Sequence, residues 1–192
     1  SQNFLESLVA LKNVMYDAIE LHEYKIHHVS GHKEYPQEAI DIRNQLSLMG
    51  KLHKLHGEQR ACVAFDWMYA SNLLPDSLPL DYKTITKELS FANGKRVDRA
   101  IVHKSGQLSI IEIKDDCDSR SIVAGIGQAL YYTALAEKQY SESPIVPYLV
   151  VLGDHNADVA RACLRGGVEY IPLGNIKFLT TISKIAAFMA EI

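Results

Sequence analysis

Cysteine is scarce: Cys62, Cys117 and Cys163 are odd in number, far apart, and form no Cys-x-x-Cys pair. That spacing indicates neither a disulfide framework nor a zinc or iron–sulfur cluster. No apolar run approaches the roughly 20 residues a membrane-spanning helix needs. No charged-then-apolar leader begins the sequence, so a cytoplasmic location without a membrane partner is expected. Charge of one sign is lacking too, since 20 Lys and Arg against 23 Asp and Glu leave a net charge of -3. This excludes a histone-like polycation but leaves room for a local basic groove, because the placement of charge matters more than its sum. Internal repeats and low-complexity segments are absent. What is there, 192 residues with 47% hydrophobic and 22% charged, is an ordinary globular composition long enough for one domain with an extension.

The most informative stretch runs from Lys95 to Lys114. Asn93-Gly94 before it is a strong hairpin signal, and Ser105-Gly106-Gln107 within it supplies a second turn. Residues 84–91, 95–103 and 108–114 are short, turn-bounded apolar segments, which predicts a three-strand antiparallel meander. Side chains two apart on a strand share a face. Glu112 and Lys114 therefore lie together with Ile111 and Ile113 opposite, and Asp98 on the preceding strand can join the polar side. Carboxylates suit a hard divalent cation, and a lysine beside them suits an anionic transition state or an attacking water. The plain alternative is a solvated edge strand with an ordinary ion pair. Glu88, on the first strand, is a further carboxylate whose plain reading is a solvated residue.

Around this stretch the chain reads mostly as helix. Residues 4–28 repeat Leu8, Leu11, Met15, Ile19 and Ile26 at near-helical spacing. Pro36 opens a second helix with an apolar stripe of Ala39, Ile42, Leu46 and Met49. The pair predicts a helical hairpin within residues 1–57 and, through its apolar stripes, a homodimer. Histidines are frequent there, yet His22 and His27 are five apart, which turns them about 140° from each other on a helix. His53 and His56 have no third ligand near them.

Residues 58–70 predict a helix in which Glu58 shares a stripe with Cys62, Phe65 and Tyr69. That glutamate is either buried in a site or fraying at the first turn, where the helix dipole favours it without any function. A helix over 120–140 carries Gln128, Tyr132 and Leu135 on one face. Gly125 and Gly127 within it cost up to about 1 kcal/mol each relative to alanine, which points to close packing or a close ligand. Residues 145–152 fit a strand buried on both faces. A helix at 158–164, a strand at 168–171 and a closing helix at 176–190 complete the order.

From Glu58 onward the elements run helix, three strands, helix, strand. With Val97-Asp98 on the second strand and Glu112-Ile113-Lys114 on the third, the chain resembles the PD-(D/E)XK, or restriction-endonuclease-like, nuclease superfamily. Val97 stands where that signature has proline. Gln128-Ala129-Leu130-Tyr131-Tyr132 resembles the Gln-x-x-x-Tyr motif of RecB-type members, and Glu58 corresponds to a glutamate that several members carry on the first core helix. The resemblance covers residues 58–153. It implies an α/β fold with a restriction-endonuclease-like αβββαβ core, a mixed central sheet flanked by helices, in a domain of residues 58–192 following the 1–57 extension.

The resemblance also implies a function: Mg²⁺- or Mn²⁺-dependent hydrolysis of DNA phosphodiester bonds, in repair, restriction or defence against foreign DNA. Asp98, Glu112, the Ile113 carbonyl and Glu58 would hold the metal, with Glu88 a weaker candidate. Lys114 would orient or help deprotonate the attacking water, and Gln128 and Tyr132 would position nucleic acid or that water. Lys83, Lys87, Lys95, Arg96, Arg99, Lys104 and Arg120 surround the carboxylates in sequence and are candidate phosphate contacts. DNA over RNA rests on the resemblance alone. One alternative is a nucleic-acid-binding or assembly module that keeps the fold without catalysis, against which stands the retention of Lys114. Another is an unrelated α/β protein whose Glu-x-Lys is a surface pair.

Overall fold

A computed structural model of the chain describes residues 47–116 and 118–174, with 183–184 and 187. The helices predicted within residues 1–46, the homodimer predicted through them, and most of the closing helix predicted at 176–190 lie outside the described residues. Helical residues 47–50 and a 3-10 turn, Leu52–Lys54, lead into α1 (Gly57–Ala70). Then follow β1 (Tyr82–Ser90), β2 (Arg96–His103), β3 (Leu108–Lys114), α2 (Ser119–Gln139), β4 (Ile145–Val151), α3 (Ala157–Gly166) and β5 (Glu169–Pro172).

The five strands form one mixed sheet in the order β1-β2-β3-β4-β5. Its first half is the predicted meander, with β1–β2 and β2–β3 antiparallel. Gly94 at φ +77 and Gly106 at φ +89 supply the left-handed conformations of its two turns, which glycine adopts without a Cβ clash. Hydrogen bonds from Phe91 N to Lys95 O at 2.8 Å and from His103 N to Gln107 O at 2.9 Å close them. Beyond β3 the sheet becomes parallel, β3 to β4 and β4 to β5. A parallel neighbour cannot be reached by a hairpin, so α2 and α3 act as the crossovers.

Those helices have local start signals. The Asp118 carboxylate accepts from Arg120 N at 2.8 Å and Ser121 N at 3.2 Å, satisfying amides that have no partner inside α2. Asn156 does the same for Asp158 N and Val159 N at the start of α3, and Gly167 at φ +70 ends that helix.

Helices cover both faces of the sheet. On one, Phe65, Trp67 and Tyr69 of α1 pack with Ile101, Ile111, Ile113, Tyr148 and Val150. On the other, Tyr132 and Ala136 of α2 pack with Val97, Ala100, Leu108 and Ile110, and Ile122 and Ala129 pack with Leu149 and Val151. Each fully buried Ile, Leu or Phe contributes roughly 1.5–3 kcal/mol to holding these layers. Met49 and Leu52, which the sequence division places in the extension, belong to the α1 side of this core. Strand β3 is central and all seven of its residues are buried, so the reading of it as a solvated edge strand is overturned.

Strand β1 is irregular at two places, in a register shift between Tyr82 and Thr84 and at Glu88. The pairs Lys87↔Arg99 and Leu89↔Val97 put Glu88 opposite Asp98, and Glu88 sits at φ +51, a left-handed conformation costly for a residue with a Cβ. Among the described residues no helix is long and apolar enough to cross a membrane.

Candidate active site

The alternation of side chains along β3 fixes the centre of the site. On β3, Ile111 and Ile113 join the α1-side core, while Leu108 and Ile110 face α2, and Glu112 and Lys114 follow on that second face. Lys114 Nζ donates to Glu112 Oε1 at 2.9 Å and to Glu58 Oε1 at 2.9 Å. Glu112 is 3% exposed and Lys114 6%, so this is no surface pair. Asp98 arrives from the neighbouring strand. The β2–β3 pairing ends at Arg99↔Ile111, and beyond it the Ile113 amide donates to Asp98 Oδ2 at 2.7 Å. A carboxylate thus takes the place of a ladder partner.

The electrostatics of this group are unbalanced. Burial first, and then the charge of Asp98, push the Glu112 carboxyl up to about 7, only partly opposed by its hydrogen bond from Lys114. Burial likewise holds Asp98 above the usual carboxylate range, against the Ile113 amide and Lys114. Burial works against the charge on Lys114, but its bonds to Glu112 and Glu58 outweigh it, and the ammonium is held above its ordinary value. Glu112 Oε2 is buried with no hydrogen-bond partner. One lysine therefore faces three carboxylates, two of them desolvated.

Helices complete the arrangement from two sides. Gly57, at φ +60, starts α1 so that Glu58 falls in its first turn, with a side chain 57% exposed. Glu58 is thus a first-turn glutamate whose carboxylate reaches Lys114 without being buried. From the other side α2 lies directly on the lysine stem. A Cβ on Gly125 would stand 2.7 Å from Leu149 Cδ1, 3.2 Å from Lys114 Cγ and 3.3 Å from Lys114 Cε. Close packing explains Gly125. It does not explain Gly127, which faces outward with nothing within 4 Å.

The same helix places Gln128, half-buried, and Tyr132, buried. Burial raises the Tyr132 phenol above its usual value, opposed by a hydrogen bond from Gln128, and its hydroxyl senses the charges of Glu112, Asp98 and Lys114. Its ring stacks on Phe91 with centroids 6.0 Å apart.

Asp98, Glu112, Ile113, Lys114, Glu58, Gln128 and Tyr132 thus come together, and Glu88 does not join them. Its exposed carboxylate pairs with Arg96 Nη1 at 2.9 Å. The basic residues divide. Arg99 is buried and grips Asp66, whose other partner is Lys87 at 2.8 Å, so Arg99 is not a phosphate contact. Lys83, Lys95, Lys104 and Arg120 are exposed.

Sequence reasoning missed Asp66, which neighbours the Phe65 of the apolar stripe but gives no local sign of a partner 33 residues away. It also missed a polar group at the opposite end of β2 and β3. There His103 Nδ1 lies 3.1 Å from Asp81 Oδ1, and His103 Nε2 2.8 Å from Ser109 Oγ. The order suggests a hydrolase triad, but Ser109 is fully buried and closed to substrate, so the group ties the second hairpin together.

Among the described residues no three His, Cys, Asp or Glu side chains converge as a ready cation cage. The oxygens on offer are those of Asp98 and Glu112 beside the main chain of Ile113, with Lys114 Nζ set between Glu112 and Glu58. An all-oxygen set with a buried, unpartnered carboxylate oxygen fits a hard divalent cation, because such an oxygen is costly without one.

No protein-family model matches the chain, and comparison with curated proteins gives no match. Among solved structures it is similar to a repair endonuclease from Pyrococcus abyssi, with 15% identity and a TM-score of 0.38. The similarity covers 74% of this chain and 49% of that one, so the chain spans about half the length of that protein. No residue role is transferred from it.

Proposed function

We propose that the chain is a divalent-metal-dependent nuclease hydrolysing DNA phosphodiester bonds, with a restriction-endonuclease-like core. The observation that carries this reading is the buried group of Asp98, Glu112 and Lys114, in which Glu112 keeps one oxygen without a partner. Buried carboxylates are expensive when their charge is not fully matched, and a divalent cation offsets the excess negative charge that one lysine leaves among three carboxylates.

Asp98 and Glu112 would hold the Mg²⁺ or Mn²⁺ with the main-chain carbonyl of Ile113, and Glu58 would complete the set from α1. When bound, the cation activates water and neutralises charge on the phosphoryl oxygens. Lys114 has a narrower role than a general base. Its two glutamate partners hold it charged, so it donates to and orients the attacking water and offsets the negative charge of the transition state. Gln128 stands one helical turn before Tyr132 on α2, so that the pair can hold a non-bridging oxygen or the water in place.

The test incubates the protein with single- and double-stranded DNA and RNA in Mg²⁺, Mn²⁺ or EDTA. Asp98→Ala and Lys114→Ala run beside it. The expected result is metal-dependent cutting of DNA that falls by a factor of about 100 or more in both variants. Cutting that survives in both variants overturns the site.

A further inference from the structure

Beside Tyr132, α2 presents an aromatic ring that the chemistry described so far leaves unused. Tyr131 is 49% exposed, and its ring centroid lies 6.0 Å from that of Tyr132, tilted by 50°. Tyr132 stacks in turn on Phe91, so three rings run from the first hairpin through the site to the surface. The outermost is held from one end. Asn93 Nδ2, in the β1–β2 turn, donates to the Tyr131 hydroxyl at 3.0 Å, and Asn93 Oδ1 accepts from Lys95 N at 3.1 Å. The turn therefore fixes the ring while leaving it open to solvent, and the exposed Lys95 stands on that turn.

We infer that Tyr131 is a stacking platform for the nucleobase beside the scissile phosphate, and that it selects unpaired DNA strands. This rests on the nuclease reading. A preset aromatic surface next to a phosphodiester site has one natural complement on the substrate, the π-face of a base, and stacking of this kind is tolerant of sequence. Within a duplex both faces of each base are covered by its neighbours. Only an unpaired strand or flap can lay a base on Tyr131 while its phosphate reaches Asp98 and Glu112. Asn93 acts through Tyr131 and is a positioning residue.

Binding is read by fluorescence anisotropy in EDTA, so that no cutting intervenes. The ligands are a labelled oligo-dT, the same strand with abasic sites and a duplex. Tyr131→Ala weakens oligo-dT binding by about 5- to 100-fold and leaves abasic and duplex binding unchanged. Tyr131→Trp retains oligo-dT binding, and Tyr131→Phe retains most of it, having lost only the bond to Asn93. Unchanged oligo-dT binding in Tyr131→Ala, or equal losses on all three ligands, overturns the inference. Cleavage in Mg²⁺ separates the two ideas. A wild-type protein that cuts DNA with a strand preference unaltered by Tyr131→Ala sinks the platform and leaves the nuclease standing. A wild-type protein that neither binds nor cuts any of these ligands sinks both.

Discussion

The Arg99 guanidinium closes on both oxygens of the Asp66 carboxylate, Nε to Oδ1 at 2.8 Å and Nη2 to Oδ2 at 3.0 Å. A third guanidinium nitrogen, Nη1, donates to the main-chain oxygen of Asp98. The pair therefore bolts α1 to β2 at the residue before the buried arginine, which is a proposed metal ligand.

Removing one partner of this pair strands the other. Asp66→Ala leaves the Arg99 charge buried, and a loss of about 3–5 kcal/mol is expected in urea unfolding. The double replacement Asp66→Leu with Arg99→Met removes both charges and should recover most of it. A double variant as unstable as the sum of its parts would show that the two residues are not coupled.

The raised Glu112 carboxyl predicts a pH dependence of definite sign. Its folded value of about 7 lies above the ordinary 4.5, so between these two the folded chain keeps a proton that the unfolded chain has released. Stability of the metal-free protein therefore falls as pH rises through that window, by up to about 1.4 kcal/mol per pH unit from this group. Glu112→Gln flattens the profile. A wild-type profile that instead rises over the window would mean that the carboxyl is not held protonated.

Metal addition should act in the opposite sense. A divalent cation binds the ionised carboxylates, so Mg²⁺ is expected to raise Tm more at about pH 8 than at about pH 5. The shift disappears in Asp98→Ala. An equal shift at both pH values, or one that survives the substitution, would place the cation elsewhere.

Two glycines on α2 form a matched pair for packing. Gly125→Ala drives a methyl against Leu149 and the Lys114 stem and should cost about 1–3 kcal/mol. Gly127→Ala meets nothing and should gain up to about 1 kcal/mol from helix propensity. Thermal unfolding of the two variants measures both, and shifts of the same sign would contradict the close approach of α2 to Lys114.

These residues also separate what is legible in the sequence from what only the fold decides. Strand β3 has the predicted limits, because alternation on a pleated strand and a glycine turn are local properties. The sharing of a face by Glu112 and Lys114 follows from the same period and needs no tertiary information. By contrast, the Lys114–Glu58 contact joins residues 56 apart, and neither sequence reading of Glu58, buried in a site or fraying at the first turn, specifies it. Arg99 illustrates the limit. It sits among exposed cations in sequence, and only the placement of Asp66 on α1 turns it inward. Gly127 and Gly125 look alike in the sequence because helix propensity carries no memory of which face a residue will occupy. The left-handed conformation of Glu88 within β1 is invisible for a similar reason, since nothing in a glutamate favours positive φ.

The distance along the chain between Glu58 and Lys114 has a bearing on how the protein comes into being. The two meet only after the meander has closed, and β3 gains its parallel partner only once α2 has been made and has crossed back. Contacts of such long span form late and slowly. A chain ending before β4 lacks the strand that lies beside Glu112 and Lys114 in the parallel ladder, where they pair with Leu149 and Val151. Assembly of the buried group on β3 is therefore coupled to completion of the sheet.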